Sequence, residues 1–348
     1  RDTNSMILEG LNEAQVEAVT QPLSSITRVV AGPGAGKTRV LTSRIAYLLH
    51  HDEEDRRILA VTFTKKAAGE MQQRLESLLE TMNTESIEQP LRQSSVSTEN
   101  DIVQEEVADA GSSTRRTTAL DRVTLGTFHS VCAKILRWNG KHLSTLPSVV
   151  QDMMGVANAT NLDGSFTIVD QADQVRLLKE CTAELEIDLK SQDLKPQTVL
   201  NALAKIKSNC ATGIDPSKSG RKVPSKTMRV GEKLYPLYRQ KLLTRNALDF
   251  DDLILMTREL LSVHDHIRDN LRRTWQHVLV DEFQDTSQSQ SDLVKLLSSD
   301  SLLVVGDADQ SIYSWRGAHA ESMSDFLHEF NDRLNGVNTV HLMENYRS

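Results

Sequence analysis

Ala31-Gly32-Pro33-Gly34-Ala35-Gly36-Lys37-Thr38 follows the apolar run Ile26–Ala31 (I-T-R-V-V-A) and opens Thr38–His50, where apolar residues recur at helical spacing. A strand, a glycine-rich turn and a helix start, in that order, are the context in which a phosphate-binding loop is credible. The cradle is Gly32, Pro33, Gly34, Ala35 and Gly36. Its glycines let backbone N–H groups curl around phosphates without Cβ clashes, and the helix N-terminus adds positive potential. In such a loop Lys37 reaches the outer phosphates and the Thr38 hydroxyl ligates Mg2+. The general pattern has glycine where Ala31 stands, yet Gly34 and Gly36 with Lys37-Thr38 still supply the turn. The bland alternative is a glycine-rich turn before a helix.

The partner of such a loop is found far downstream, at Val278-Leu279-Val280-Asp281-Glu282. An apolar strand ending in two carboxylates places them at the carboxyl edge of a parallel sheet, where ligands bind. Asp281 would hold Mg2+ and Glu282 would polarise the attacking water. Acids at a strand end are also common as plain turn residues. Taken with the loop, the pair points to hydrolysis of ATP or GTP.

Between these motifs the chain alternates short apolar runs with helical patterns: Ile58–Phe63 as a strand, Lys65–Leu79 as a helix, Val123–Thr127 as a strand. That is the rhythm of a parallel α/β sheet covered on both faces. It breaks at Thr81–Asp121, which holds twelve Ser/Thr and no aromatic residue. Such a segment buries too little to order itself, and it is expected to be a flexible acidic surface insert. From Ser144 to Asn246 the pattern is helical, and strands resume at Val278–Val280 and Leu302–Val305. The expected organisation is one α/β domain over 1–143 and 247–348, interrupted by a helical insertion over 144–246.

The 348 residues carry a net charge of −8, with 39% hydrophobic and 25% charged residues, an ordinary globular composition. The charge is unevenly placed. Thr81–Asp121 has eight acids against three arginines, whereas Lys205–Arg245 has eleven Lys/Arg against Asp215 and Glu232. The basic stretch is a candidate for phosphate contact, the alternative being a solvated helix face. No run approaches the ~20 apolar residues of a membrane span, and no apolar signal core opens the chain. Cys132, Cys181 and Cys210 lie far apart and fit neither a zinc site nor a disulfide framework. An intracellular protein is expected, nuclear in a eukaryote and in the cytoplasm or nucleoid of a bacterium. The chain opens on Arg1 and closes on Ser348, and reads as an excised segment.

Further motifs resemble those of the UvrD/Rep/PcrA superfamily-one DNA helicases. Leu11-Asn12-Glu13-Ala14-Gln15 is similar to that family's Q motif, in which Gln15 would read adenine, an edge that an amide can both donate to and accept from. The phosphate loop is similar to the family's variant, which also tolerates alanine first, and Arg39 matches a nucleotide-contacting arginine. Thr62-Phe63-Thr64-Lys65-Lys66-Ala67-Ala68 resembles motif Ia, although the family more often has asparagine where Lys65 stands. Gly126-Thr127-Phe128-His129-Ser130 resembles motif Ib, and Asp281–Thr286 resembles motif II. Gly306–Ala318 resembles motif III and Asn345-Tyr346-Arg347-Ser348 motif IV. The matches run from Leu11 to Ser348 and leave out the insert and most of the helical stretch.

The resemblance implies a RecA-like P-loop NTPase sheet with an inserted helical subdomain, ATP and Mg2+ as cofactors, and single-stranded DNA and its junctions with duplex as partners. It implies a helicase or translocase of 3′→5′ polarity acting in repair, recombination or replication, completed by a second RecA-like domain after motif IV. Phe63, Thr127, His129, Tyr313 and Trp315 fall on the single-strand path, Trp315 stacking on a base. Gln310 senses the γ-phosphate, Tyr346 stacks on adenine, and Arg347 acts as an arginine finger. Two rivals stand beside this reading: an ATP- and DNA-binding module that hardly turns over, and a P-loop ATPase of another class, which would lack the Trp315 loop and the Gln15 motif. Asp249-Phe250-Asp251-Asp252 is expected to be a helix start rather than a metal site, and Trp138 and Trp275 are expected in the core.

Overall fold

The computed structural model describes residues 3–87, 119–154, 162–211, 225–307, 330 and 336–344. Helices α1 (Thr3–Ile7) and α2 (Glu13–Val19) lead into β1 (Ile26–Ala31), α3 (Lys37–His51), β2 (Ile58–Thr62), α4 (Lys65–Ile87), β3 (Val123–Thr127) and α5 (Phe128–Trp138). Then come α6 (Pro147–Asp152), β4 (Thr167–Ile168), α7 (Gln171–Glu184), α8 (Pro196–Ala211), α9 (Lys226–Thr244) and β5 (Ala247–Leu248). The last described elements are α10 (Phe250–Val263), α11 (Asp265–Thr274), β6 (His277–Val280), α12 (Gln288–Leu297), β7 (Ser301–Gly306) and β8 (Asn338–Leu342).

Six strands form one parallel sheet in the order β3-β2-β6-β7-β1-β8. Every residue of β2, β6 and β7 is buried, the pattern of strands covered on both faces. Alternate residues feed two cores. Leu59, Val61, Val278, Val280, Leu302 and Val304 face α5, α10, α11 and α12. Ile58, Ala60, Leu279, Leu303, Val305, Val29 and Ala31 face α2, α3 and α4. Burying each such aliphatic side chain contributes about 1.5–3 kcal/mol, so the register of the sheet is fixed by its own sequence. Because the strands are parallel, all their carboxyl ends emerge at one edge, and the functional loops leave from it.

Helices α7, α8 and α9 enclose a third core around Leu178, Cys181, Val199, Leu203, Leu234 and Tyr238, beside the small parallel pair β4–β5. Helices α8 and α9 pack so closely that a Cβ at Gly231 would lie 3.2 Å from that of Ala202. Leu146, Val149, Leu162 and Phe166 belong instead to the core beneath the sheet.

Several expectations need correction. Helix α4 runs on to Ile87, into the start of the expected insert, because Met71, Leu75 and Met82 keep the helical apolar spacing and are buried. Ala119–Arg122 forms a 3-10 turn, and residues 88–118 lie outside the described residues. Trp138 is 58% exposed. As the last residue of α5 it caps Trp275 at 5.9 Å between ring centroids, while Trp275 is buried and donates Nε1–H to Thr124 Oγ1 at 3.1 Å. The basic stretch is not one solvated face. Lys207 and Arg239 are buried and paired with Asp249, Asp252 and Asp152, and Lys241 and Arg245 pair with Glu184 and Glu180. Lys205, Arg229 and Lys233 are exposed. No helix among the described residues is long and apolar enough to cross a membrane.

Candidate nucleotide site and nucleic-acid face

The phosphate loop leaves β1 at the buried Ala31 and enters α3 at Lys37. Gly34 and Gly36 both have left-handed φ, +76° and +83°. Gly36 is the residue before the helix, and a Cβ there would sit 2.6 Å from Gln15 Nε2, so backbone conformation and space both demand glycine. Gln15, in the first turn of α2, is 2% exposed. Its Oε1 accepts from Asn12 N at 3.1 Å in a capping box, and its Nε2 donates to Ala35 O at 3.0 Å. Each end of the amide thus holds one protein group and keeps one further lone pair or N–H. Arg39 is exposed and donates to Glu9 O at 2.7 Å.

Strands β1 and β6 flank β7, about two strand spacings or ~10 Å apart, and their loops face each other across its end. Lys37 and Glu282 close that gap, with Nζ 2.9 Å from Oε2. Glu282 itself adopts a left-handed conformation, φ 49° and ψ 44°, which costs of order 1 kcal/mol for a residue with a side chain. The turn is held by Phe283, buried in the core below, and by Asp285 N donating to Glu282 O at 2.9 Å. Asp281 ends β6, its N–H donating to Val61 O at 2.9 Å and its Oδ1 accepting from Glu282 N at 3.0 Å. Burial, and then the neighbouring Glu282 carboxylate, push the Asp281 carboxyl up to about 7. The same two causes bring Asp285 to about 6. A site that crowds carboxylates in this way favours a ligand carrying compensating positive charge. Thr38 in the first turn of α3 and Asp281 at the end of β6 offer hard oxygen donors, the chemistry Mg2+ takes.

Gln284 joins this turn to β7. Its Nε2 donates to Glu282 Oε2 at 2.8 Å, and its Oε1 accepts from Asp307 N at 3.0 Å. Sequence reading carried this residue inside the motif II resemblance but gave it no role, since nothing local shows that β6 and β7 lie side by side.

Further along the same edge, β2 and β3 end together, Thr62 in register with Thr127. Phe63 follows at half burial. Thr127 is buried and caps α5, its Oγ1 accepting from Ser130 N at 3.3 Å while its N–H donates to Ser130 Oγ at 2.9 Å, so its hydroxyl serves the helix start. His129, half-buried, meets Phe250 edge to face at 5.7 Å. Phe250 is 46% exposed at the start of α10, where Asp249 caps the helix through Asp252 N at 3.0 Å. The helix start was legible; the exposed aromatic beside His129 was not, its only signal being an aromatic just after a cap. Gln310, Tyr313, Trp315, Tyr346 and Arg347 lie outside the described residues.

Residues 11–331 match the family profile of the UvrD/REP helicase N-terminal domain. The chain is 35% identical over 345 residues to a probable DNA helicase II homolog of Mycoplasma capricolum, covering 98% of this chain and 40% of that protein. It is 33% identical over 347 residues to the ATP-dependent DNA helicase PcrA of Staphylococcus aureus, with 98% and 38% coverage, and equally to PcrA of Staphylococcus epidermidis. It thus spans about two fifths of the length of these relatives. With a phosphate loop, a paired-acid strand end and a parallel sheet that sets them face to face, the chain belongs to the UvrD/REP helicase N-terminal domain family.

Proposed function

We propose that this chain supplies the nucleotide site and part of the DNA track of an ATP-dependent DNA helicase that moves along single-stranded DNA and acts at its junctions with duplex. The observation that carries the reading is the Lys37–Glu282 contact across the end of β7, beside the buried Asp281. A lysine paired to the acid is a resting arrangement. ATP phosphates compete for Lys37, and its transfer to them frees Glu282 from its lysine partner to act as the base facing the γ-phosphate. Thr38 and Asp281 would hold Mg2+, which when bound neutralises phosphate charge. Phe63, His129 and Phe250 line the same sheet edge and suit sequence-tolerant contact with bases. Directionality, 3′→5′, rests on the family resemblance.

The test is ATP hydrolysis by the full-length protein with and without single-stranded DNA, together with unwinding of duplexes carrying a 3′ or a 5′ tail. Hydrolysis stimulated by single strands, with unwinding from the 3′ tail, is expected. Tight binding of ATP and DNA without stimulated turnover would replace this reading with that of a binding module.

A further inference from the structure

Gln284 is 6% exposed, yet its amide has a full set of partners. Asp307 N can only donate, and the Glu282 carboxylate can only accept. Oε1 must therefore face Asp307, at 3.0 Å, and Nε2 must face Glu282 Oε2, at 2.8 Å, with Asp285 Oδ2 next to it at 3.3 Å. The orientation of the amide is settled by chemistry. The turn that carries it is rigid on both sides: Phe283 is 1% exposed, and Thr286 Oγ1 donates to Phe283 O at 2.7 Å.

Glu282 Oε2 thus has two donors, Lys37 Nζ at 2.9 Å and Gln284 Nε2 at 2.8 Å. They differ in what nucleotide does to them. Lys37 belongs to the phosphate loop and leaves for the phosphates. Gln284 belongs to the turn and to β7, and stays. We propose that Gln284 is a positioning residue for hydrolysis: it holds Oε2 of Glu282 once Lys37 has gone, so that the other oxygen, Oε1, is the one presented to water. Its second bond, to the end of β7, fixes the angle at which it does so. The inference rests on Glu282 being the base, as proposed above.

The decisive variant is Gln284→Glu in the full-length protein. It keeps the size of the side chain and an acceptor for Asp307 N–H, but it exchanges the donor to Glu282 for a further carboxylate beside Glu282 and Asp285. Gln284→Met, which removes the donor without adding charge, is therefore measured beside it and must show the same loss of kcat. A strut that merely tied the turn to β7 would survive Gln284→Glu. A positioning residue would not, because small displacements of a reacting group are costly in rate. We expect kcat for ATP to fall about tenfold or more, with KM, the Kd of a fluorescent ATP analogue and Tm staying close to the parent. A kcat close to the parent's overturns the inference, and so does a joint loss of kcat, nucleotide affinity and Tm. Should Gln284→Glu fail to fold, Gln284→Met is judged on the same readouts. Glu282→Gln, run in parallel, separates the two readings. If it is inactive while Gln284→Glu is normal, only the positioning role falls; if it hydrolyses ATP like the parent, the base assignment falls and the positioning role with it.

Discussion

Lys37 Nζ stands 2.9 Å from Glu282 Oε2, so the residue proposed to neutralise phosphate and the residue proposed to activate water hold each other. Their losses should differ in kind. Lys37→Ala removes the charge that meets the β- and γ-phosphates and is expected to abolish tight ATP binding. Glu282→Gln keeps the shape of the side chain and the loop, and is expected to bind ATP while hydrolysis falls by about 10²–10⁴-fold. Equilibrium binding of labelled ATP beside single-turnover hydrolysis checks both. A Glu282→Gln protein that turns over at the parent rate would remove Glu282 from its role.

At the opposite end of the sheet, His277 opens β6 and Ser301 opens β7, with Nδ1 and Oγ 2.7 Å apart, and Nε2 lies 3.1 Å from Asp52 Oδ2. Burial holds the imidazole below its ordinary value of 6.5 in spite of that carboxylate. The unfolded chain therefore takes up the proton first. This contribution to stability is complete above pH 6.5 and is lost as pH falls from there toward the lower folded value. Asp281 and Asp285, held up at about 7 and 6, gain stability as pH falls through the same window. The His277 part is therefore read as a difference: in thermal melts between pH 7.5 and 5, the Tm of His277→Gln relative to the parent should rise below pH 6.5. An unchanged pH profile in the variant would assign the acid sensitivity to other groups.

Why some of this was readable and some not follows from where the information lies. Strands β2, β6 and β7 differ from the expected runs only at their ends, because burial on both faces makes a continuous apolar run, and β1 and the half-buried edge strand β3 coincide with Ile26–Ala31 and Val123–Thr127. Strand β8 was missed: at the sheet edge it alternates, with Val340 and Leu342 buried and polar residues between, and five such residues resemble a loop. The turn from β1 into α3 is a local object, and its glycines and helix start were legible. The Gln284–Asp307 bond spans 23 positions and exists only because β6 pairs with β7. Likewise, the charge of Lys207 is visible in sequence, while its burial against α10 is a property of the packed helices.

Phe250 gives the proposed nucleic-acid face its own test. The ring is 46% exposed and rests on His129, and the cap of α10 depends on Asp249 instead. Phe250→Ala should leave Tm nearly unchanged and weaken binding of single-stranded DNA by about 1–3 kcal/mol, the worth of one lost base contact. Fluorescence anisotropy with a labelled oligonucleotide reads the second, a thermal melt the first. Unaltered DNA affinity would take Phe250 off the track.

The basic stretch divides into two kinds of charge, and the division can be measured. Lys207 is 4% exposed, its Nζ 2.6 Å from Oδ2 of Asp249, the cap of α10, and 2.9 Å from Oδ1 of Asp252 in its first turn. Arg239 reaches Asp252 at 2.5 Å and Asp152 at 2.8 Å. These cations tie α8 and α9 to α10 and have no phosphate to meet. Lys207→Met leaves two buried carboxylates short of a partner and should destabilise the protein by about 3–5 kcal/mol, with the salt dependence of DNA binding unaltered in the protein that remains folded. Lys205, Arg229 and Lys233 are exposed on α8 and α9. Replacing all three by glutamine should leave Tm close to the parent. If each meets a phosphate, the slope of log affinity against log salt should fall by roughly 0.7 per contact, about 2 in all. The two variants are expected to change opposite columns of the same experiment: Tm without slope, slope without Tm. A Lys207→Met protein with parental Tm and a flattened slope would place the phosphate contact inside the ion network and reverse the assignment.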